Sequence, residues 1–376
     1  MSTDTPKSPA ALTSRARALL ESTSFAEVLA GAKLGTAHVE SANVLSGRNT
    51  NVAVHTDSGR GLFVKLVDPD PSNTGFEHTM KFEDFAHVNR RSMRSAGVPT
   101  LLASSREHGI LVYELIPDAR SLAATFDDRE MDATRFESVG RQLATFHSAS
   151  EGIDSIPTAA HRFPPLGSLR ALPLKYWTGC SAAELEAWSL MQADAPLLDA
   201  LADLRSQEAD APQRPVHGDM RLDQVLLDAD STYLTDFEDF RLGDPARDIG
   251  ALLGDLTYRA VLSIIKDWSG DFALDADLTH ESILDRGTDA LEAQRPAFTE
   301  FWNGYRSVTG DLDSELTTRA TAWVGWHMFD RLLAAGKDRN RLLSVHRAAA
   351  GIGRAATMDP ARFRATFEAI PTGGQA

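Results

Sequence analysis

The stretch from Val216 to Glu238 constrains this chain more than any other. It opens Val216-His217-Gly218-Asp219 and runs through Arg221 to Gln224. Two short apolar runs follow, Val225–Leu227 and Tyr233–Thr235, around Asp228-Ala229-Asp230, and the stretch closes on Asp236-Phe237-Glu238. Short β-type runs around an Asp-rich turn predict a hairpin. Such a hairpin sets Asp219, Gln224 and Asp236 around one opening. Two carboxylates and an amide oxygen make a hard-oxygen site suited to Mg²⁺, which keeps several waters and takes further ligands from phosphates.

The rest of the chain divides around this hairpin. Residues 1–9 are polar, of a composition that buries too little to offset ordering entropy. The spacing of Leu12, Ala16, Leu19, Leu20, Phe25, Val28 and Leu29 predicts a helix over 10–30. Val39–Leu45, Val52–His55 and Leu62–Val67 read as strands, the last two joined by Asp57-Ser58-Gly59-Arg60-Gly61, whose glycines tolerate positive φ. Phe76–Ala96 reads as one helix stopped by Gly97 and Pro99. Leu101–Ser104 and Ile110–Leu115 are two further strands. Beyond Pro117 the chain reads as helical apart from the two strands of the hairpin.

His-x-Asp-x-x-x-x-Gln followed by Asp-Phe-Glu resembles the aminoglycoside phosphotransferase group of the protein-kinase-like fold, over roughly residues 39–335. The motif is a variant of the kinase catalytic loop and metal motif. The resemblance implies an α+β, two-lobed, protein-kinase-like fold. Its parts are an N-terminal extension over 1–38, a small β-rich lobe over 39–116 that binds ATP, and a helical lobe over 117–376 that carries the acceptor site. Asp219 then stands as the catalytic base that orients an acceptor hydroxyl, and Gln224 and Asp236 as Mg²⁺ ligands. Gln224 replaces the usual asparagine on an arm one methylene longer. Arg221 lies where protein kinases carry a lysine that touches the transferred phosphate, and a cation there neutralises charge on the γ-phosphoryl group.

For the small lobe, the resemblance makes Lys65 the lysine that pairs with the α- and β-phosphates, with Glu83 as its helix partner and Glu77 in reserve. The loop containing Ser46 and Asn49 takes the place of the phosphate-covering loop. Glu114 and Leu115, in Tyr113-Glu114-Leu115-Ile116, take the place of the hinge that pairs with adenine. His217 and Asp248 are expected to brace the catalytic loop, Asp248 by accepting backbone N–H bonds. The tryptophans at helical positions read as core or groove lining.

Composition removes other readings. Lys and Arg number 38 against 53 Asp and Glu, a net charge of −15, which argues against a nucleic-acid binder or an anionic-lipid anchor. The lone Cys180 cannot build a disulfide framework or a thiolate metal site. No basic-then-apolar leader and no membrane-length apolar run is evident, so a soluble cytoplasmic protein is expected. The histidines form no His-x-x-x-His or Cys pairing, and a Gly-x-Ser-x-Gly elbow is absent.

The acceptor is not written in these motifs. The same motifs, with Gly243-Asp244-Pro245-Ala246-Arg247-Asp248, resemble the kinase component of class V lanthipeptide synthetases. That resemblance implies a Ser or Thr of a ribosomally made precursor peptide as acceptor, a partner lyase or cyclase, and an extended groove between 166–177 and the C-terminal helices. The alternatives are a small-molecule hydroxyl (a sugar, aminoglycoside or other antibiotic) and a catalytically dead lobe that only binds peptide.

Overall fold

Side-chain caps set the first elements. The Thr13 and Ser22 hydroxyls accept from the N–H groups of Ala16 and Phe25, starting α1 (Ser14–Leu20) and α2 (Thr23–Gly31). The single helix expected over 10–30 is therefore two, because Ser22 also bonds the Leu19 carbonyl and turns the chain. The computed structural model describes residues 13–45, 49–67, 74–269, 287 and 289–368. The polar tract over 1–9 lies outside them.

Five antiparallel strands follow in the spatial order β1-β2-β3-β5-β4: β1 (Asn43–Leu45), β2 (Thr50–His55), β3 (Gly61–Leu66), β4 (Leu101–Ser105) and β5 (Ile110–Glu114). Val39–Ser41, expected as strand, is a 3₁₀ turn. The period-two alternation divides the sheet into two faces. Val52, Val54, Leu62, Val64, Ile110 and Val112 pack under Leu19, Phe25 and Leu29 of α1 and α2. Asn51, Ala53, Phe63, Lys65, Leu111 and Tyr113 are left for the opposite face.

That face meets α3 (Gly75–Val88), which the short α4 (Arg90–Ser95) follows. The single helix expected over 76–96 breaks at Asn89, whose side-chain N–H groups bond the Phe85 and Glu151 carbonyls at 3.0 and 2.8 Å. An Asn that ties its own helix to a distant loop competes with helix continuation. Phe82 and Phe85 of α3 belong to the large core of the second lobe, so α3 joins the two lobes.

The second lobe is mainly helical. After β6 (Arg120–Ser121) come α5 (Leu122–Asp127), α6 (Arg135–His147), α7 (Leu166–Arg170), α8 (Leu174–Trp177), α9 (Ala182–Gln192) and α10 (Ala195–Asp210). β7 (Arg214–Val216), β8 (Val225–Leu227), β9 (Thr232–Leu234) and β10 (Arg241–Gly243) carry the motif region. Then come α11 (Pro245–Ser269), α12 (Arg295–Thr309), α13 (Ser314–Gly336), α14 (Ser344–Met358) and α15 (Pro360–Glu368). The expected hairpin is β8–β9, with Leu226 opposite Tyr233. Three strands were not expected: β6 pairs with β8, and β7 pairs with β10. Runs of two or three residues give too little alternation to read as strands.

Glycines let the helices close. A Cβ on Gly140 of α6 would lie 2.0 Å from the Phe301 carbonyl oxygen, and one on Gly304 of α12 would lie 1.9 Å from that of Glu137. No helix among the described residues is long and apolar enough to cross a membrane.

Candidate active site

The β7–β8 loop is held from behind by one buried carboxylate. Asp248, on α11, accepts from the backbone N–H groups of His217 and Gly218 at 2.6 and 2.9 Å, and lies 3.1 Å from His147 Nε2. Burial works against its charge, yet the hydrogen bond and proximity of His147 outweigh burial and hold its carboxyl below the usual range. The expected bracing role of Asp248 is observed. Gly218 has φ +85, and a Cβ there would meet the Asp239 carbonyl oxygen at 2.5 Å, so only glycine fits.

His217 is fully buried and braces the same loop. Its Nδ1 accepts from the Asp219 N–H at 3.3 Å, which leaves Nε2 to donate to the Thr235 carbonyl at 2.7 Å. Its ring lies 4.6 Å from that of Phe237, which stacks on Phe82 of α3 at 3.6 Å and 2°. His217, the Asp236-Phe237-Glu238 stretch and the lobe-joining helix thus form one packed column.

Asp219, Gln224 and Asp236 line one cavity of about 1070 Å³, as the hairpin reading expects, and Lys65, Asn49, Glu83, Glu114 and Leu115 line it too. Burial raises the Asp219 carboxyl to about 6, against the lowering effect of Arg221, whose guanidinium lies 3.1 Å from it and 3.5 Å from Asp223. Gln224 is buried in a 3₁₀ turn, its carbonyl accepting from Thr235 N–H. Asp236 has φ +69, a left-handed conformation uncommon for a residue with a side chain, and the kind of departure that clusters at functional sites.

Lys65 does not pair with Glu83. Its ammonium donates to Asp236 and, at 3.0 Å, to Glu238, which also accepts from Asn49 Nδ2 at 3.2 Å. Burial alone would lower the Lys65 ammonium; the two carboxylates outweigh burial and raise it. Glu83 instead meets the Tyr113 hydroxyl, one of its carboxylate oxygens is buried without a hydrogen-bond partner, and burial raises its carboxyl to about 7. The reserve candidate Glu77 pairs with Arg106. In the hinge stretch, the N–H groups of Glu114 and Leu115 bond the Thr100 and Gly61 carbonyls, so neither offers its N–H to the cavity. Ser46 lies outside the described residues.

Four contributors were missed. Glu238 was read only as the last residue of the Asp-Phe-Glu motif. Arg331 and Asp330 of α13 pair with each other and line the cavity; against burial, Asp330 first and then Asp255 and Asp219 hold the Arg331 guanidinium above its ordinary value. Asp255 of α11 accepts from the Leu222 N–H at 3.2 Å and positions the loop beyond Arg221. Trp323 and Trp326 line the cavity, as the groove-lining reading expects, whereas Trp177 is about half exposed.

A small antiparallel sheet over a large helical lobe, with a lysine on β3 facing a carboxylate at the hairpin exit, defines a protein of the kinase-like class. The chain belongs to the phosphotransferase enzyme family (APH), whose model matches residues 42–298. It is 31% identical over 118 residues to methylthioribose kinase 1 of Oryza sativa subsp. japonica. Over 95 residues it is 28% identical to 3-deoxy-D-manno-octulosonic acid kinase of Vibrio cholerae. These matches span 31% and 24% of this chain, and 27% and 40% of those relatives. In fold, it resembles amicoumacin kinase hAmiN, solved with AMP-PNP, Ca²⁺ and Ami (TM-score 0.51, 13% identity, 93% of this chain and 96% of that one). It also resembles a choline/ethanolamine kinase family protein from Mesorhizobium loti (TM-score 0.52, 15% identity, 95% and 99%).

Proposed function

We propose that this protein moves the γ-phosphate of ATP, bound with Mg²⁺, to a hydroxyl group of a small molecule. The observation that carries this reading is the meeting of Asp219, Gln224, Asp236 and Lys65 on one cavity. Among the described residues no three His, Cys, Asp or Glu side chains could hold a metal by themselves. That suits Mg²⁺, which takes one or two carboxylates and completes its shell with phosphate and water. Asp236 already holds a cation, the Lys65 ammonium. Gln224 and Asp236 would hold the metal, which when bound neutralises charge on the phosphates.

The chain's own groups do the rest. Lys65 supplies a point charge to phosphate oxygens. The acceptor oxygen bonds to the γ-phosphorus as the bond to the bridging oxygen breaks. ADP leaves with that electron pair, and the hydroxyl proton passes to Asp219. Arg221 keeps a buried Nε–H without a protein acceptor, a donor left over for a phosphoryl oxygen. Most of the rate then comes from positioning and preorganised charge.

Cavity size supports a small acceptor. About 1070 Å³ is at the top of the range for a single ligand site and must hold nucleotide and acceptor together. The names of the matched relatives, kinases of methylthioribose and of 3-deoxy-D-manno-octulosonic acid, agree. Mg²⁺-dependent ADP release across a panel of small hydroxyl compounds and Ser/Thr peptides tests the reading. At least one small molecule should be phosphorylated, with the activity lost in Asp219→Asn; turnover of peptides alone would overturn the small-acceptor reading.

One observation favours a second reading, a Ser or Thr of a ribosomally made precursor peptide with a partner lyase completing the dehydration. Leu174, Tyr176 and Trp177 of α8 expose 74%, 51% and 51% of their surface, within the segment where the groove was expected. The same panel separates the two readings.

A further inference from the structure

His161, Arg162, Phe163 and Arg247 form part of the cavity wall, and more positive than negative charge gathers behind it. Arg205 and Arg247 both donate to the Phe163 carbonyl, at 3.1 and 3.0 Å. Arg241 reaches the Ala159 carbonyl at 3.3 Å, and Arg162 lies 5.2 Å from the centre of the Phe163 ring. Among the described residues, only two carboxylates answer these four guanidinium groups. Glu208 takes Arg205 and Arg247, each at 2.6 Å, and Asp239 takes Arg241 at 3.0 Å. Asp244, the next carboxylate, is engaged by Arg319.

The excess has visible consequences. Burial first, and then repulsion from Arg247 against the pull of their own carboxylates, leaves the Arg205 and Arg241 guanidinium groups below their ordinary values. Burial, followed by Arg247 and Arg241, pushes the His161 imidazole well below its ordinary value. His161 Nδ1 lies 3.0 Å from the Phe163 backbone nitrogen and 3.3 Å from the Phe163 carbonyl oxygen, which fixes the ring in the wall. The fold's own needs here, the Phe163 carbonyl and Glu208, are met by Arg205 and Arg247. Arg162 is exposed, lies over the Phe163 ring and has no carboxylate partner among the described residues. Asp239 links this wall to the catalytic loop, since its carbonyl occupies the space a Gly218 Cβ would take, and its charge also helps raise Asp219.

Building on the phosphotransferase reading above, we propose that this wall, with Arg162 and Arg247 as its cations and His161 beside them, binds an anionic group of the acceptor while a hydroxyl of the same molecule meets Asp219. The acceptor is then a small hydroxylated acid, bearing a carboxylate or a phosphate, and not an amine. Guanidinium forks match both anions with paired N–H groups, whereas an amine would face unanswered positive charge.

The test uses the full chain saturated with Mg·AMP-PNP and four probes of one skeleton: glucose, glucosamine, gluconate and glucose 1-phosphate. Thermal shift and calorimetric titration read binding. Gluconate, glucose 1-phosphate or both should bind more tightly than glucose and glucosamine, and the two anions separate carboxylate from phosphate recognition. Arg162→Gln, at an exposed position, should weaken the anion about tenfold or more, the usual cost of a lost charged hydrogen bond. Arg247→Lys keeps the charge, loses the fork and should weaken it as well. Glucose or glucosamine binding as well as the anions, no binding by any probe, or an anion affinity unchanged in Arg162→Gln would each overturn the proposal. Mg·AMP-PNP affinity, measured alone and in Asp236→Ala, reports separately on the phosphotransferase reading.

Discussion

Asp219 feels opposing pulls, and their balance sets when it can take a proton. Burial raises its carboxyl to about 6 against the attraction of Arg221. As the proposed base it must be ionised, so kcat/KM should climb as pH rises through about 6 and level off above it. Asp219→Asn should cut turnover by about 10²-fold or more at pH 8, remove that limb of the profile and leave nucleotide affinity largely intact. Unchanged turnover would remove Asp219 as the base. Glu83 makes a prediction about stability instead. Its folded carboxyl is raised from 4.5 to about 7, so the folded state holds a proton that the unfolded chain gives up. Stability therefore falls as pH climbs between those values. Glu83→Gln should reverse this, gaining on the order of 2 kcal/mol relative to the native chain at pH 8 and little at pH 4.5; urea denaturation at both pH values reads the difference. These two residues also mark how legible the site was. Asp219, Gln224, Asp236 and Asp248 lie within one short, patterned stretch and were readable from it. Arg331 and Trp323 reach the site from α13, where periodicity gives a buried face without saying which cavity it borders. Glu83 was placed on the right helix beside the right cavity, but the choice between Lys65 and Tyr113 depends on the position of α3, which no local pattern encodes.

At the scale of elements, the sheet and hairpin were readable because alternating β-branched runs and Gly- or Asp-rich turns state their own geometry. Helix ends were harder. Asn89 and Ser22 break helices through hydrogen bonds that hydrophobic spacing does not register. Helix contacts were invisible, although the sequence contains their means. Gly140 and Gly304 allow α6 and α12 to touch backbone to backbone, and a methyl group on Gly304 would fall within 1.9 Å of a main-chain oxygen. Because backbone, unlike the end of a long side chain, cannot swing aside, the helices must separate. Gly304→Ala should lose about 2–4 kcal/mol despite alanine's better helix propensity, overpacking being the larger effect. Thermal unfolding would show this as a lower Tm. A neutral or higher Tm would mean that the two helices are not held this close.

In the molecule as a whole, the two lobes meet through side chains that also line the proposed nucleotide site. Lys65 of the small sheet holds Asp236 and Glu238 of the helical lobe, and Asn49 adds a second bond to Glu238. Phe82 of α3 stacks on Phe237 between those two acids. On the proposed function, nucleotide binding and lobe contact draw on the same groups, a coupling that follows from three-dimensional assembly and that neither the motif nor the strand pattern alone displays. A ligand that binds only the folded state stabilises it by mass action, about 2.7 kcal/mol at a free concentration one hundred times its Kd. Mg·ATP should raise the unfolding midpoint accordingly, and ATP with EDTA should raise it much less. In Asp236→Ala the Lys65 ammonium loses one of its two carboxylate partners and the proposed metal site loses a ligand. The Mg²⁺-dependent part of the shift should then vanish, while Gly304→Ala should retain it at a lower starting Tm. Retention of the full Mg²⁺-dependent shift in Asp236→Ala would place the metal elsewhere and separate the lobe contact from nucleotide binding.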